Sequence, residues 1–411
     1  MVSYKKHTLD NGLRVIVHSD GTTPMAAVNI LYDVGARDEE PERTGFAHLF
    51  EHLMFEGSVN VDRFDQNLQN AGGENNAFTT NDITNYYISL PAQNIETAFW
   101  LESDRMLGLG FSEEKLKTQK NVVTEEYRQS YLNQPYGDSW LLLRPLAYRV
   151  HPYRWATIGK NIEHIQEASL GDVKKFFSTF YRPSNAILSV AGNVQPEKIF
   201  SLAEKWFGDI PAGTPHVRNL PREPEQDGTK RSSVRRDVPQ HQIFMAFHMC
   251  ERSHPDFHTA DLISDILSNG ESARLPSRLV HDSKVFSEVN AFVTGNLDPG
   301  LLVVAGKPHN GVDIEKAEDM LWKEISDLVH NLASKRELDK VKNRVEATQT
   351  FSDSNVMAKA MNLAYYELQG DASLYNYQKD AYSAVSQEGL RRLAREIIRE
   401  ENMSVLHYGL V

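Results

Sequence analysis

The chain has 411 residues, of which 40% are hydrophobic and 24% charged, and this length suits two buried cores of roughly 200 residues each. Its 44 Lys and Arg residues stand against 56 Asp and Glu residues, and the net charge of −12 argues against a nucleic-acid-binding protein, which needs a basic face. Cys250 is the single cysteine, which excludes an intrachain disulfide and leaves almost no basis for a cysteine-built zinc or iron–sulfur site.

The first half of the chain is predicted to combine short strands with helices. It opens with two strands around a turn at 10–12, the second of them at 13–17. A helix at 44–55 is indicated by apolar residues at 46, 49, 50 and 53, the spacing of one helix face. The remaining predictions are strands at 26–34, 84–90 and 185–191 and helices at 61–71, 92–107 and 113–132, with further helical segments up to about 180.

The second half repeats this pattern after a segment rich in proline, glycine and charge at 208–232, which includes Pro211, Pro215, Pro221 and Pro224. We place an interdomain linker at 211–232, between an N-terminal domain at 1–210 and a C-terminal domain at 233–411. Strands at 242–247, 289–294 and 301–306, a helix at 255–267 and later helices follow. The sequence therefore predicts an α+β fold of two homologous domains, each a mainly antiparallel sheet flanked by helices.

The sharpest chemical signal is the run His48-Leu49-Phe50-Glu51-His52 in the helix at 44–55. The two histidines are four residues apart, so both imidazoles leave one face of the helix and can bind one metal ion. Glu51 lies within reach of a water bound to that metal. This is the inverted H-x-x-E-H arrangement of zinc peptidases.

The alternative is a chance match, because three fixed positions in five residues recur by chance and most histidines are ordinary surface or core residues. The context favours a metal. The helix is otherwise strongly apolar, and polar groups on a largely buried element are costly unless they have partners.

A catalytic zinc also needs a third protein ligand and an open position. In the helix at 113–132, Glu126 lies beside an apolar stripe of Leu116, Val123 and Tyr127, where a carboxylate needs a partner that a metal would supply. The other possibility is that Glu126 pairs with a lysine or faces solvent, as Glu125 is expected to do. The spacing alone leaves both possibilities open.

Several further segments form a combination that is specific to one family. They are LDNGLRV at 9–15, GARDE at 35–39, GFAH at 45–48, GGENNAFT at 72–79, VVTEEYR at 122–128, HPY at 151–153 and YRPSNA at 181–186. With Glu126 placed 73 intervening residues after His52, the chain resembles the pitrilysin and insulysin family of inverted zinc metallopeptidases. The resemblance covers most of the chain and points to the processing-peptidase-like branch of single chains near this length.

This resemblance implies the metal chemistry and the architecture. His48, His52 and Glu126 would bind one Zn²⁺ per chain, and Glu51 would be the general base. The family fold has two homologous domains per chain, and two chains or fused halves close around a chamber. Such a chamber would admit unfolded peptides and exclude folded proteins.

The resemblance also implies residues around the metal. Asn76 and Ala77 fall where the family holds the substrate backbone, on a strand that the peptide joins as an added β-strand. Gln119 stands two helical turns before Glu126, where many relatives have a supporting glutamate. It can still form hydrogen bonds there but brings no charge.

The second half departs from the family at one point. Residues 272–282 match a segment in which many relatives use an arginine and a nearby tyrosine to hold substrate carbonyls or the carboxyl end. Phe286 and Ser287 stand where that tyrosine is expected, and neither has its hydroxyl geometry. In some family heterodimers the zinc motif and the arginine–tyrosine pair lie on different subunits. We therefore expect a homodimer, or a heterodimer in which a homologous subunit carries this pair and the present chain bears the zinc.

A second group of metal-ligand residue types is expected to be structural. His248 and Cys250 leave one face of a predicted strand, while His254 and His258 lie at the start of a helix, so they form no tetrahedral set. A lone cysteine is most often a buried apolar residue.

The sequence thus predicts a zinc-dependent metalloendopeptidase that acts on peptides or unfolded segments. The alternative is a non-catalytic structural or regulatory subunit on the same scaffold. A metal-binding protein without activity is disfavoured, because Glu51 has no role in it.

No run approaches 18 consecutive apolar residues, so we expect no membrane span, and no apolar signal core follows the first residues. The compartment stays open between cytoplasm and periplasm, because a mature exported chain lacks its leader.

Overall fold

The computed structural model describes residues 1–214 and 216–410, so Pro215 of the predicted linker lies outside the described residues. The strands are β1 Lys5–Thr8, β2 Arg14–Ser19, β3 Met25–Tyr32, β4 Glu74–Thr79, β5 Thr84–Pro91, β6 Ala186–Gly192, β7 Lys230–Arg236, β8 Gln242–His248, β9 Phe286–Val293, β10 Leu301–Pro308 and β11 Met403–Leu410. The helices are α1 Phe46–Leu53, α2 Phe64–Asn70, α3 Ile95–Leu107, α4 Glu113–Tyr127, α5 Ser139–Ala147, α6 Ile162–Gln166, α7 Leu170–Phe180, α8 Pro196–Phe207, α9 Phe257–Ser268, α10 Ile314–His330, α11 Lys335–Ser352, α12 Val356–Leu368, α13 Gln378–Ala384 and α14 Gln387–Ile397. None of the described helices is both long enough and apolar enough to cross a bilayer.

The chain divides into two compact units, and neither is one continuous stretch. Unit 1 consists of Met1–Tyr127, Trp155–Leu220 and Thr350–Tyr377. Unit 2 consists of Arg128–Arg154, Pro221–Gln349 and the residues from Gln378 onward. The predicted division at 1–210 and 233–411 places each domain in one stretch, whereas the contacts assign 128–154 to unit 2 and 350–377 to unit 1. As a boundary between two homologous halves, the division at 211–232 stays a prediction.

Unit 1 is built on a six-stranded sheet with the strand order β1-β2-β6-β3-β5-β4. Among the described strand pairs of this sheet, β2–β6 is the one parallel pair. One face of the sheet is covered by α12, whose Leu363 and Ala364 pack in a buried cluster with Ile16, Leu31 and Ile187. The cover for this face therefore comes from a distant part of the sequence.

Unit 2 is built on a five-stranded sheet with the order β7-β11-β8-β10-β9, in which only β7 and β11 are parallel. One face packs against α9, α10 and α14 in a large apolar cluster. The other face packs against α5, through Leu143 and Ala147 beside Phe244 and Leu406. Helices thus cover both faces, and the predicted α+β class of two mainly antiparallel sheets flanked by helices is confirmed.

Three predicted features differ from the structure. The helix expected at 113–132 ends as an α-helix at Tyr127 and continues as a wider π-helical turn at Arg128–Leu132. The predicted linker at 211–232 contains the first three residues of β7, because the polar sequence KRSSVRR lacks the apolar alternation that marks a strand. β11, expected as part of a helical region, closes the second sheet instead.

Candidate metal centre

Helix α1 carries the H-x-x-E-H residues on the face that points away from its apolar contacts. Its buried face consists of Phe46, Leu49, Phe50 and Leu53, each at most 4% exposed. His48, Glu51 and His52 lie on the opposite face and are partly exposed. The amphipathic pattern therefore orients all three polar side chains in one direction.

The start of α1 is fixed by backbone geometry and by a buried carboxylate. Gly45 has φ 89°, and a Cβ there would lie 2.7 Å from the carbonyl oxygen of Ile158, so only glycine fits. The side chain of Glu39 accepts hydrogen bonds from the backbone N–H groups of Gly45 and Ala47, each at 2.9 Å. Burial raises the pKa of Glu39 to about 8, although these two donors favour its charged form. Glu39 thereby satisfies donors that the helix leaves unpaired.

Aromatic rings support the buried side of α1. Phe50 stacks on Phe176 and on Tyr181, with ring centroids 4.9 Å and 5.2 Å apart. The hydroxyl oxygens of Tyr86 and Tyr181 are 3.3 Å apart, and both residues are fully buried. A helix held on close-packed rings keeps its outward side chains in a fixed place.

Three side chains, two from α1 and one from α4, converge beside the outward face of α1. The Nε2 atoms of His48 and His52 are 3.4 Å apart. Glu126 of α4 places its Oε1 3.6 Å from His48 Nε2 and its Oε2 3.3 Å from His52 Nε2. In the described part of the chain, this is the one group of three or more His, Cys, Asp or Glu residues spaced to hold a metal ion.

The donor set fits zinc. A tetrahedral zinc with bonds of about 2.1 Å has ligand atoms about 3.4 Å apart, the separation of the two Nε2 atoms, and each Nε2 also has one oxygen of Glu126 within 3.6 Å. Burial lowers the pKa of His48, which favours the neutral imidazole that binds metal. A hydrogen bond from His52 lowers the pKa of Glu126, which keeps its carboxylate charged. Two neutral imidazoles and one carboxylate form a donor set used by catalytic zinc sites.

Gln119 contacts a residue that the sequence reasoning did not consider. Its side-chain amide donates a hydrogen bond to Glu56, at the end of the turn that follows α1. Two side-chain atoms nearby, Oε1 of Gln119 and Nδ1 of His48, are buried without a hydrogen-bond partner among the described residues. Gln119 therefore joins α4 to the segment after α1, and its bond goes to Glu56 and not to a metal ligand. The signal available in the sequence was the four-residue spacing of Glu56 from His52.

The predicted substrate-binding residues lie on β4, the outer strand of the sheet in unit 1. Asn76 and Ala77 pair with Tyr87 and Tyr86 of β5, and no strand among the described residues pairs with the other side of β4. β4 also packs against α1. An open strand edge therefore runs beside the helix that carries the histidines.

The arginines of residues 272–282 are engaged within unit 2. Arg274 is 7% exposed and forms ion pairs with Asp327 at 3.1 Å and Glu337 at 2.7 Å. Arg278 pairs with Glu324 and Asp327. Phe286 and Ser287 lie at the place expected for a tyrosine. The ring of Phe286 is fully buried. The hydroxyl of Ser287 donates hydrogen bonds to the Gln240 side chain and to the Lys307 carbonyl oxygen.

The second histidine and cysteine group forms no cluster. Nε2 of His248 lies 3.0 Å from the Ala147 carbonyl oxygen, and Nε2 of His258 lies 3.0 Å from the Gln378 side-chain oxygen. Burial raises the pKa of Cys250 to about 12, so its thiol stays protonated. These residues serve structural contacts, as predicted.

Comparison of the chain with known proteins finds family models and relatives that match it. The model described as Insulinase (Peptidase family M16) matches residues 14–141, which include the whole candidate site, and the model described as Peptidase M16 inactive domain matches residues 167–345. "Zinc protease PqqE" of Helicobacter pylori is 32% identical over 96% of this chain and 90% of its own length. A "Probable mitochondrial-processing peptidase subunit beta" of Schizosaccharomyces pombe is 24% identical over 98% of this chain and 91% of its own.

A solved structure agrees with the sequence relatives. The crystal structure of a protease from Helicobacter pylori matches with a TM-score of 0.93 and 28% identity, over 99% of this chain and 100% of that one. The family expected from the sequence segments is thereby confirmed. The chain belongs to the insulinase family, peptidase family M16.

Proposed function

We propose that this chain is a zinc-dependent metallopeptidase that hydrolyses peptides or unfolded protein segments. The observation that carries the proposal is the convergence of His48, His52 and Glu126, at separations that suit tetrahedral zinc, with Glu51 on the same helix face. The name of the Helicobacter relative, a zinc protease, supports it.

The proposed mechanism assigns each side chain a task. His48 and His52 through Nε2, and Glu126 through its carboxylate, would hold the ion. A bound zinc supplies Lewis acidity that polarises the substrate carbonyl and lowers the pKa of a bound water to about 7. The carboxylate of Glu51 takes a proton from the attacking water and gives it to the nitrogen of the breaking peptide bond. Water thus adds its hydroxyl to the carbonyl carbon and its proton to the amine.

We propose that the substrate lies along β4 as an added strand, with its backbone held beside Asn76 and Ala77. The free edge of β4 and its packing against α1 support this placement. Backbone pairing asks only that the substrate be extended, which favours unfolded segments over folded proteins.

The Glu51→Gln variant tests this function, with Glu125→Gln as the matched control. Glu125 lies next to Glu126 but is exposed, so its replacement should leave the site unchanged. We expect Glu51→Gln to retain one zinc per chain and to lose about 100-fold or more of the hydrolysis of unstructured peptides, because a positioned base contributes that much. Unchanged hydrolysis in Glu51→Gln would contradict the assigned role.

A second candidate, a non-catalytic subunit, is favoured by the description of the model that matches residues 167–345 as an inactive domain. That range contains none of His48, Glu51, His52 and Glu126. A subunit without catalysis has no physical reason to keep four partly buried polar groups together in one place. Zinc binding without hydrolysis by any purified form would favour this candidate.

We further propose that the chain works as a dimer, with a homologous subunit that supplies the arginine–tyrosine pair. The ion pairs that occupy Arg274 and Arg278 support this proposal, as does the absence of a tyrosine at 286 and 287. The name of the Schizosaccharomyces relative describes it as a subunit. Full turnover by a pure homodimer would exclude the need for such a partner.

A further inference from the structure

The two sheets follow the same plan except at one edge. The order β2-β6-β3-β5-β4 in unit 1 corresponds, strand for strand along the chain, to β7-β11-β8-β10-β9 in unit 2. The single parallel pair occupies the same place in both, as β2 with β6 and β7 with β11. β1 is the one strand in unit 1 without a counterpart among the described residues of unit 2.

In unit 1, β1 protects the edge that β2 would otherwise expose. It pairs antiparallel with β2, from Lys5 opposite Val17 to Thr8 opposite Arg14. This pairing covers the outward backbone N–H and C=O groups of β2, while helices cover its side chains, as α12 covers Ile16. This arrangement shows that an extended segment fits beside the strand at this position of the fold.

In unit 2 the corresponding edge, on β7, is open. No described strand pairs with the outer side of β7, and its residues alternate between half-buried and exposed. Arg231, Ser233 and Arg235 are exposed, whereas Val234 packs toward α5. Half of the backbone N–H and C=O groups of an edge strand point away from its one neighbour, so β7 presents a row of them to a partner.

We infer that the free edge of β7 is a docking site for an extended acidic segment of another protein. Four of its seven residues, KRSSVRR, are cationic in a chain whose net charge is −12. Charged residues on an edge strand block pairing with apolar or like-charged strands. Lys230 donates to the Ala147 carbonyl oxygen, and Arg231 and Arg236 pair with carboxylates of unit 2, so Arg235 is the cation that remains to favour a strand with a carboxylate opposite it.

A second copy of the chain is a poor occupant. Antiparallel pairing of β7 with another β7 sets arginines and lysines against one another, and like charges placed directly opposite are destabilising. The negative charge of the whole chain also opposes non-specific binding of an acidic peptide, so any such binding points to a local cationic surface.

Arg235 is expected to provide most of the selectivity. Arg231 already pairs with Glu318 at 2.6 Å, beside a cavity of about 600 Å³ whose α10 side carries Glu315 and Asp319. Arg235 is exposed and makes no ion pair with a described residue. Its charge therefore remains available for a carboxylate of the docked segment.

The probe is a labelled, end-capped heptapeptide, Thr-Glu-Val-Thr-Val-Glu-Thr, whose two glutamates have the same four-residue spacing as Arg231 and Arg235. Its counterpart carries lysine at both glutamate positions. Both are titrated into the full chain carrying Glu51→Gln, so that the probes stay intact, and binding is followed by fluorescence anisotropy. Hydrogen exchange by mass spectrometry then reports which backbone segment is protected.

We expect the acidic probe to bind at least tenfold more tightly than the lysine probe, and to protect residues 230–236. Arg235→Glu should weaken the acidic probe at least fivefold, whereas Arg336→Glu, the same charge change at another exposed arginine of unit 2, should not. Backbone N-methylation of the probe should abolish binding at one set of alternate residues and be tolerated at the other, because an added strand bonds through every second residue.

Three results would overturn the inference. They are equal binding of both probes, protection confined to 74–79, and protection of 230–236 that rises with protein concentration without any probe. The last result identifies a second copy as the occupant of this edge.

Discussion

A buried arginine with two acidic partners stands out at the scale of single residues. Burial alone would raise the pKa of Glu337, but hydrogen bonds from Arg274 and Ser334 outweigh burial and lower it to about 2. A glutamate in an unfolded chain has a pKa of about 4.3. Its stabilising effect is therefore complete above that pH and is lost as the pH falls toward 2.

The Glu337→Gln variant tests this dependence. At neutral pH we expect it to lower the free energy of unfolding by about 1–3 kcal/mol, because Arg274 loses a charged partner. The gap between variant and wild type should shrink steadily in urea unfolding series from pH 5 toward pH 3. Glu396→Gln is the control, because Glu396 pairs with Arg392 at an exposed position where the effect should be small. A gap that does not change with pH would contradict the assignment.

The sequence alone predicts the proximity of candidate site residues that share one helix better than that of residues on different helices. The four-residue spacing of His48 and His52 dictates a shared face, so helical geometry alone predicts their proximity. Glu126 is distant in the chain, and its place beside an apolar stripe left its partner open until the family resemblance pointed to a metal; the structure places it within 3.6 Å of both histidines. The role of Glu39 was missed, because a side chain that caps a helix from outside its first turn leaves no local pattern.

The packing of α1 against α4 determines, at the scale of elements, whether the three ligand atoms meet. Gln119 of α4 and Glu56 after α1 form a hydrogen bond across this contact. A glutamate at the position of Gln119 would face Glu56. The charge thus lies on the α1 side of the pair in this chain, and the amide lies on the α4 side.

An exchange of the pair tests its contribution. Gln119→Glu should weaken zinc binding about 10-fold or more, because two carboxylates then face each other across the helix contact. The double variant Glu56→Gln with Gln119→Glu should recover most of the loss, since it restores one amide and one carboxylate. Competition with a zinc chelator measures the affinities. Losses that simply add in the double variant would show that the two residues do not interact.

Element boundaries were predictable where apolar periodicity was strong. The helix expected at 44–55 is present as α1, because its apolar stripe packs on aromatic rings. The first three residues of β7 were assigned to the linker, because the stability of this strand comes from pairing with β11 and not from its own composition. Strand pairing over such sequence distances is invisible to a local pattern.

At the scale of the whole molecule, the main feature is that α12, late in the sequence, belongs to unit 1. Ala360, Leu363 and Ala364 are fully buried, and they cover apolar residues of β2, β3 and β6. Lys359 reaches Asp20 with an ion pair of 2.6 Å at the same face. Two sheets in one chain were predictable from the repeated pattern, whereas this exchange of segments was not.

Fragments test the consequence of that exchange. The predicted N-terminal domain, 1–210, lacks α12, so an apolar face of its sheet is uncovered. We expect this fragment to self-associate and to unfold without a sharp transition. The three segments of unit 1, 1–127, 155–220 and 350–377, joined by flexible linkers, should instead be monomeric and unfold cooperatively. Size-exclusion chromatography and thermal circular dichroism distinguish these outcomes. A monomeric, cooperatively folding 1–210 would show that α12 is dispensable.

The zinc centre is the central claim, and anomalous X-ray scattering at the zinc edge from crystals of the zinc-loaded chain tests it most directly. We predict one anomalous peak per chain, within bonding distance of His48 Nε2, His52 Nε2 and a carboxylate oxygen of Glu126. A peak elsewhere, or none at saturating zinc, would contradict the proposed site.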